Sequence, residues 1–124
     1  MSGNIEKILS TIQNYLDGLY EGDVNKLGHA CNPICQLHTI TDGKLTSLSL
    51  DDWLTLVEKR ASPKSQNFTR ANERIVSITV TAPDAANVTL NCAVPGRLFT
   101  DHLSMLLIDG RWQITNKAYH AVLF

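Results

Sequence analysis

"RLFTDHLSMLLIDGRWQITNKAYHAVLF", residues 97–124, consists of two runs joined by Asp109-Gly110, and the first alternates apolar with polar side chains. Alternation with a period of two marks a strand with one buried face, and Asp-Gly tolerates the positive backbone angles of a tight type I' turn. A long antiparallel hairpin is expected. Counting by twos puts Phe99, Asp101, Leu103, Met105 and Leu107 on one face of its first arm. A carboxylate among four apolar neighbours is the oddity of the stretch.

Working back from the hairpin, Pro95-Gly96 is a further turn, and Val88, Leu90, Cys92 and Val94 alternate with polar or small residues before it. Val76, Ile78 and Val80 alternate in the same way with Ser77, Thr79 and Thr81. The chain upstream is mostly helical. Ser49 is placed to accept from the backbone of Asp52 while Asp52 reaches back, a capping box that starts a helix burying Leu50, Trp53, Leu54 and Val57; Ser62-Pro63 stops it. Before that, residues 34–40 read as a strand, and Asp42-Gly43 turns it into a second short strand ending at Leu48. The first element is the most regular: Ile5, Ile8, Leu9, Ile12, Leu16 and Leu19 share one stripe of a helix over about residues 4–21. Gly22-Asp23 breaks it, and Asp23 caps a short helix carrying Val24, Leu27 and Ala30, which Asn32-Pro33 ends. Helices followed by a meander of strands predict an α+β fold with the helices on one sheet face.

Composition narrows the function. A chain of 124 residues is expected to be one domain, residues 1–124, with a single core. A formal net charge of -1 gives no reason to expect nucleic acid, because Lys59-Arg60, with Lys64 and Arg70 nearby, is the longest and still sparse basic feature. The opening "MSGNIEKILS" does not read as an export signal, and no apolar run reaches the ~20 residues of a membrane span. Cys31, Cys35 and Cys92 cannot all pair and show no disulfide spacing, so reduced thiols and a cytoplasmic location are expected. His29 and His38 near Cys31 and Cys35 reproduce no zinc pattern, and phosphate-loop, nucleophile-elbow and HExxH motifs are absent; no metal or cofactor is expected. Asn67-Phe68-Thr69 and Asn87-Val88-Thr89 match the glycosylation triplet, which carries no weight in a chain that is not secreted.

A long helix ending in "YLDGLYEGD" (residues 15–23), a short helix, a hairpin, a capped third helix and the closing "FTDHLSMLLIDGRWQITNK" (residues 99–117) together resemble the nuclear-transport-factor-2-like superfamily, and within it a lumazine-binding family of uncharacterised proteins. The resemblance implies a cone: a curved antiparallel sheet of four to six strands packed on three N-terminal helices, its mouth near the end of the first helix. It also implies a homodimer through the outer sheet face. Relatives include ketosteroid isomerases, scytalone dehydratases, polyketide cyclases and transport adaptors, so function must be argued from the site.

Tyr15 borders the apolar stripe of the first helix, and the resemblance aligns it with the oxyanion-hole tyrosine of ketosteroid isomerases. Asp101, or His102 if the strand slips by one residue, becomes the nearest counterpart of their protonated aspartate, a pair that is a worked example of tuned pKa values. In an apolar cavity the charged form of Asp101 is disfavoured, so that it donates a hydrogen bond or shuttles a proton. The alternatives are a Tyr15 satisfied by a backbone carbonyl and an Asp101 paired to Arg97 or Lys117 at the sheet edge. Where the isomerases keep a carboxylate base this chain has Thr39, with His38 beside it aimed at the other face, which disfavours steroid isomerisation. His120 shares even spacing with Trp112, Ile114, Asn116 and Ala118 and is a further cavity candidate, and Trp53 can double as a pocket wall. Two readings follow. In the first, a small apolar or heterocyclic ligand lies between Tyr15, Trp53, Asp101 and His120, with isomerase- or dehydratase-like acid–base chemistry if Asp101 or a histidine is tuned for it. In the second, the chain is a non-catalytic dimeric association module.

Overall fold

The long hairpin lies inside a six-stranded sheet that the helices cover on one face. The computed structural model describes residues 2–124, and side chains from Asn4 onward. In chain order the elements are α1 (Ser2–Glu21), α2 (Val24–Ala30), β1 (Cys31–Thr41), β2 (Lys44–Ser49), α3 (Leu50–Lys59), β3 (Arg74–Ala82), β4 (Ala85–Val94), β5 (Arg97–Ile108) and β6 (Arg111–Leu123). The strands lie in the order β2-β1-β6-β5-β4-β3. All neighbours run antiparallel except β1 and β6, which are parallel, with Cys31 opposite Ile114 and Leu37 opposite Lys117. Three helices on a curved, unclosed sheet make an α+β fold.

The local signals explain the boundaries. Gly22 ends α1 at φ 67°, where a side chain would be strained, and the Asp23 carboxylate accepts from the backbone of Asn25 and Lys26 at the start of α2. Ser49 Oγ accepts from Asp52 N at 3.1 Å. The reciprocal bond expected of a capping box is not among the hydrogen bonds of the described residues, so α3 has half the motif. Asp109 and Gly110, at φ 50° and 77°, form the tight turn of the long hairpin. Gly18 allows a close approach between helices, because a Cβ there would stand 2.8 Å from Leu27 Cγ.

The core is the stripe of α1 laid on the sheet's inner face: Ile8, Ile12 and Leu16 meet Leu90, Leu103 and Ile114. Leu9, expected on that stripe, is 38% exposed at its edge. Val76 also departs from expectation, for it sits at a register shift between Ile75 and Ser77 and is 47% exposed. The most consequential irregularity is in β6. Ser104 pairs with Asn116 while Met105 pairs with Ile114, so Thr115 is an extra residue, a β-bulge. One inserted residue reverses which side chains face inward. Trp112 and Ile114 point into the core before the bulge; Lys117 and Tyr119 take the inner face after it. No helix among the described residues is long and apolar enough to cross a membrane.

Candidate functional site

Asp101 is fully buried on the inner face of β5, opposite Tyr119, as the alternation of that strand predicts. The Tyr15 hydroxyl, also fully buried, crosses from α1 and donates to Asp101 Oδ2 at 2.6 Å. The Cys92 thiol approaches the same oxygen at 3.7 Å, while Oδ1 has no hydrogen-bond partner among the described residues. Burial, reinforced by the Asp101 charge, pushes the Tyr15 phenol well above its ordinary pKa. Burial and Asp101 likewise push the Cys92 thiol up. Both groups therefore stay protonated at neutral pH.

Lys117 completes the cluster. Its Nζ lies 3.7 Å from Asp101 Oδ2, too far for a good hydrogen bond but close enough for an ion pair between side chains 8% and 0% exposed. Three aromatic rings surround it, with centroids at 4.6 Å (Trp53), 5.1 Å (Tyr119) and 5.3 Å (Tyr15). A cation is attracted to ring faces at such distances. Among the described residues, Nζ has no hydrogen-bond acceptor. The pairing of Asp101 with Lys117 expected at a sheet edge is thus found in the core, because the Thr115 bulge turns Lys117 inward.

A cavity of about 120 Å³ lies above the cluster. Trp53, Leu56, Cys92, Phe99, Lys117 and Tyr119 form much of its wall, Leu19 of α1 closes one side, and Arg60 and Arg97 also line it. Trp53 and Lys117 therefore touch the space directly. Tyr15 and Asp101 contribute no surface to it and lie one layer beneath, behind Lys117 and Cys92, whereas the sequence led us to expect both to project into it.

The histidines lie elsewhere. His120 was expected among the cavity residues, but it stands opposite Thr100 on the outer face of the sheet and is exposed, because the bulge reverses the even-numbered side chains. His102 also faces outward, 3.5 Å from Thr89 Oγ1, so the register that favours Asp101 is the one adopted. Thr39 donates to the carbonyl of Tyr119 at 2.7 Å and is a structural hydroxyl. Tyr20 donates to the Phe68 carbonyl and stacks under Arg70. Among the described residues no group of three or more His, Cys, Asp or Glu is arranged to hold a metal ion. Sequence reasoning missed Tyr119 altogether and left Lys117 at an edge. An unbroken count of two through residues 111–120 excludes both, and only the bulge restores them.

Known proteins resemble this chain along its whole length. A family model described as "Putative lumazine-binding" matches residues 3–120. A curated relative, the aldolase FrzH of Cladobotryum sp, is 23% identical over 120 residues, covering 97% of this chain and 93% of its own. Among solved structures, an NTF2-like protein of unknown function from Silicibacter pomeroyi superposes with a TM-score of 0.85 at 24% identity, covering 98% of both chains. A ketosteroid isomerase-like protein from Erwinia carotovora atroseptica superposes with a TM-score of 0.70 at 13% identity over 94% of this chain and 95% of its own. At such identities the structures establish a shared fold and nothing about reaction. With the family model spanning nearly every residue, this chain belongs to the "Putative lumazine-binding" family, and it has the fold of the NTF2-like structures it resembles.

Proposed function

We propose that this chain binds a small molecule carrying a carbonyl or ring oxygen in the cavity above Asp101, and that Lys117 is the group the ligand meets. The observation that carries this reading is Lys117 itself. An ammonium held among three aromatic rings, with no hydrogen-bond acceptor among the described residues, has donors to offer to whatever enters. A preformed donor facing a carbonyl oxygen stabilises the enolate that forms when a base takes a proton from the neighbouring carbon, and because the lining holds no carboxylate or imidazole, that base is water or a group of the ligand itself. Asp101 holds Lys117 in place from below, and the Tyr15 hydroxyl bonded to the same carboxylate oxygen fixes that carboxylate in turn. Isomerisation, dehydration and aldol reactions share an enolate, which accommodates both the acid–base chemistry expected from the residues and a relative named as an aldolase. The family description suggests a heterocycle of the lumazine type, and a ring carbonyl meets the same donor.

The outer sheet face supports dimerisation as part of this proposal. Ile40 and Leu45 stand opposite each other there, as do Leu98 and Val122, and all four are exposed apolar side chains. The three buried, unpaired thiols suit the reducing cytoplasm expected from the sequence. The test is a thermal-shift and NMR screen of pteridines, flavins, steroids and small oxo compounds against the native chain and Lys117→Met. A ligand that binds only the native state raises the melting temperature by mass action. The reading requires one that stabilises the native protein and moves the Trp53 indole resonance, with the effect lost in Lys117→Met. Equal stabilisation of both proteins would remove Lys117 from the site.

A further inference from the structure

Three cations line the cavity, Arg60, Arg97 and Lys117, and no acid shares the lining with them. Asp101, one layer below, answers Lys117 alone. Arg60 and Arg97 make no ion pair and no side-chain hydrogen bond among the described residues. Arg70, by contrast, is forked onto Glu73 and bonded to Asp17, and Arg111 donates to the His29 carbonyl. Glu73 is thereby engaged with Arg70. The two free guanidinium groups are brought together by different parts of the chain. Arg60 caps the C-terminus of α3, where its N–H bonds to the Leu56 carbonyl, and Arg97 opens β5 just after Gly96.

Burial holds the Arg60 guanidinium below its usual pKa, and the like charge of Arg97 adds to that. Two like-charged guanidiniums held near each other at an exposed rim repel, and an anion placed between them relieves that repulsion. Guanidinium presents parallel N–H groups that match the two oxygens of a carboxylate. The same two residues border an adjoining recess with Pro63, Gln66 and Pro95, so they stand at a rim with room outside it.

We propose that the ligand of this cavity is a carboxylate, its acid group clasped between Arg60 and Arg97 and its apolar body directed inward along Trp53 to Lys117. This deepens the preceding reading, on which it rests, by naming the ligand's chemical class. The size of the cavity limits the body. An apolar cavity of ~150 Å³ in another protein holds one benzene ring. At about 120 Å³ the body here is a single ring or a short branched chain. A bound carbonyl acid would present its acid end to the arginines and its carbonyl oxygen to Lys117.

The experiment is an NMR titration, with calorimetry, of matched pairs that differ only in charge: benzoate against benzamide, and further aromatic and short aliphatic acids each against its amide. The readout is the Trp53 indole resonance. At low salt at least one acid is expected to bind about tenfold or more tightly than its amide. Arg60→Gln and Arg97→Gln, both at exposed positions, are each expected to lose most of that preference, acid affinity falling far more than amide affinity. Raising the ionic strength is expected to weaken the acid alone. Amides that match their acids in the native protein would overturn the carboxylate assignment and leave the pocket reading intact. A preference that survives both substitutions would overturn it as well. If no acid and no amide moves Trp53, the pocket reading falls together with this one.

Discussion

Two hollows in this molecule invite comparison. The larger, about 500 Å³, is an open groove between α1 and the start of β6, lined by residues such as Lys7, Ser10, Gln13, Asn14 and Arg111. The smaller, about 120 Å³, lies over the Asp101 cluster. Size alone would choose the groove. Its side chains, however, are largely committed: Asn14 donates to the Lys26 carbonyl, Gln13 to Asp17, Thr11 to the Trp112 carbonyl and Arg111 to that of His29. In the small cavity the side chains of Lys117, Arg60 and Arg97 have no hydrogen-bond acceptor among the described residues. An unsatisfied donor in a partly dry enclosure, as Lys117 is, gains more from a ligand than a satisfied one in open water, which is why the proposal takes the smaller hollow.

The sharpest way to break that contrast is Asp101→Ala, which strands Lys117 as a buried charge without its counter-ion. A loss of about 3–5 kcal/mol in denaturant unfolding is expected. A loss below about 1 kcal/mol would mean that the cluster is wetter than its burial indicates. Replacing the whole cluster, as Tyr15→Phe with Asp101→Leu and Lys117→Met, should return most of that stability, since apolar groups often substitute for buried ion pairs at no net cost and no hydroxyl is left without an acceptor. On the proposed reading the triple variant should fold yet lose ligand binding. Next is Tyr15→Phe, expected to cost about 1–3 kcal/mol because a hydrogen bond to a buried charged group is lost without refilling.

The alkaline limb sharpens the same point. The folded Tyr15 pKa is raised, so the native state keeps its phenolic proton after the unfolded chain has begun to lose it at about pH 10. Its contribution is complete below that pH and declines as pH rises further. Ultraviolet titration should accordingly show Tyr15 keeping its proton until the chain unfolds, and stability should fall less steeply above about pH 10 in Tyr15→Phe. The smallest effect belongs to the groove: Lys7→Ala should shift stability by no more than about 0.5 kcal/mol and leave binding of any cavity ligand unaltered.

Much of this architecture was legible because its signals are local. The α1 stripe, the Asp23 and Ser49 caps and the Asp-Gly turns each declare themselves within a few residues, and Asp101 stood out against Phe99, Leu103 and Met105. What escaped detection depends on register. Nothing in "QITNKAYH", residues 113–120, announces that Thr115 is the extra residue, since no Gly marks it and any period-two count passes through unbroken. That single irregularity sent His120 outward and brought Lys117 and Tyr119 inward. The paired arginines were equally invisible, lying 37 positions apart in the sequence and meeting only where α3 ends beside the start of β5.

The parallel seam between β1 and β6 has a consequence for assembly. It joins Cys31 to Ile114, among the most distant partners the chain can bring together, and contacts of that kind form only after a large loop has closed. Lys117 travels on the strand that closes it. Until that strand docks, Asp101 and Tyr15 have no cation above them and the cavity lacks the wall that Lys117 and Tyr119 supply. On the proposed reading, binding competence and completion of the sheet are one event, and a ligand present during refolding would reward only chains that have finished.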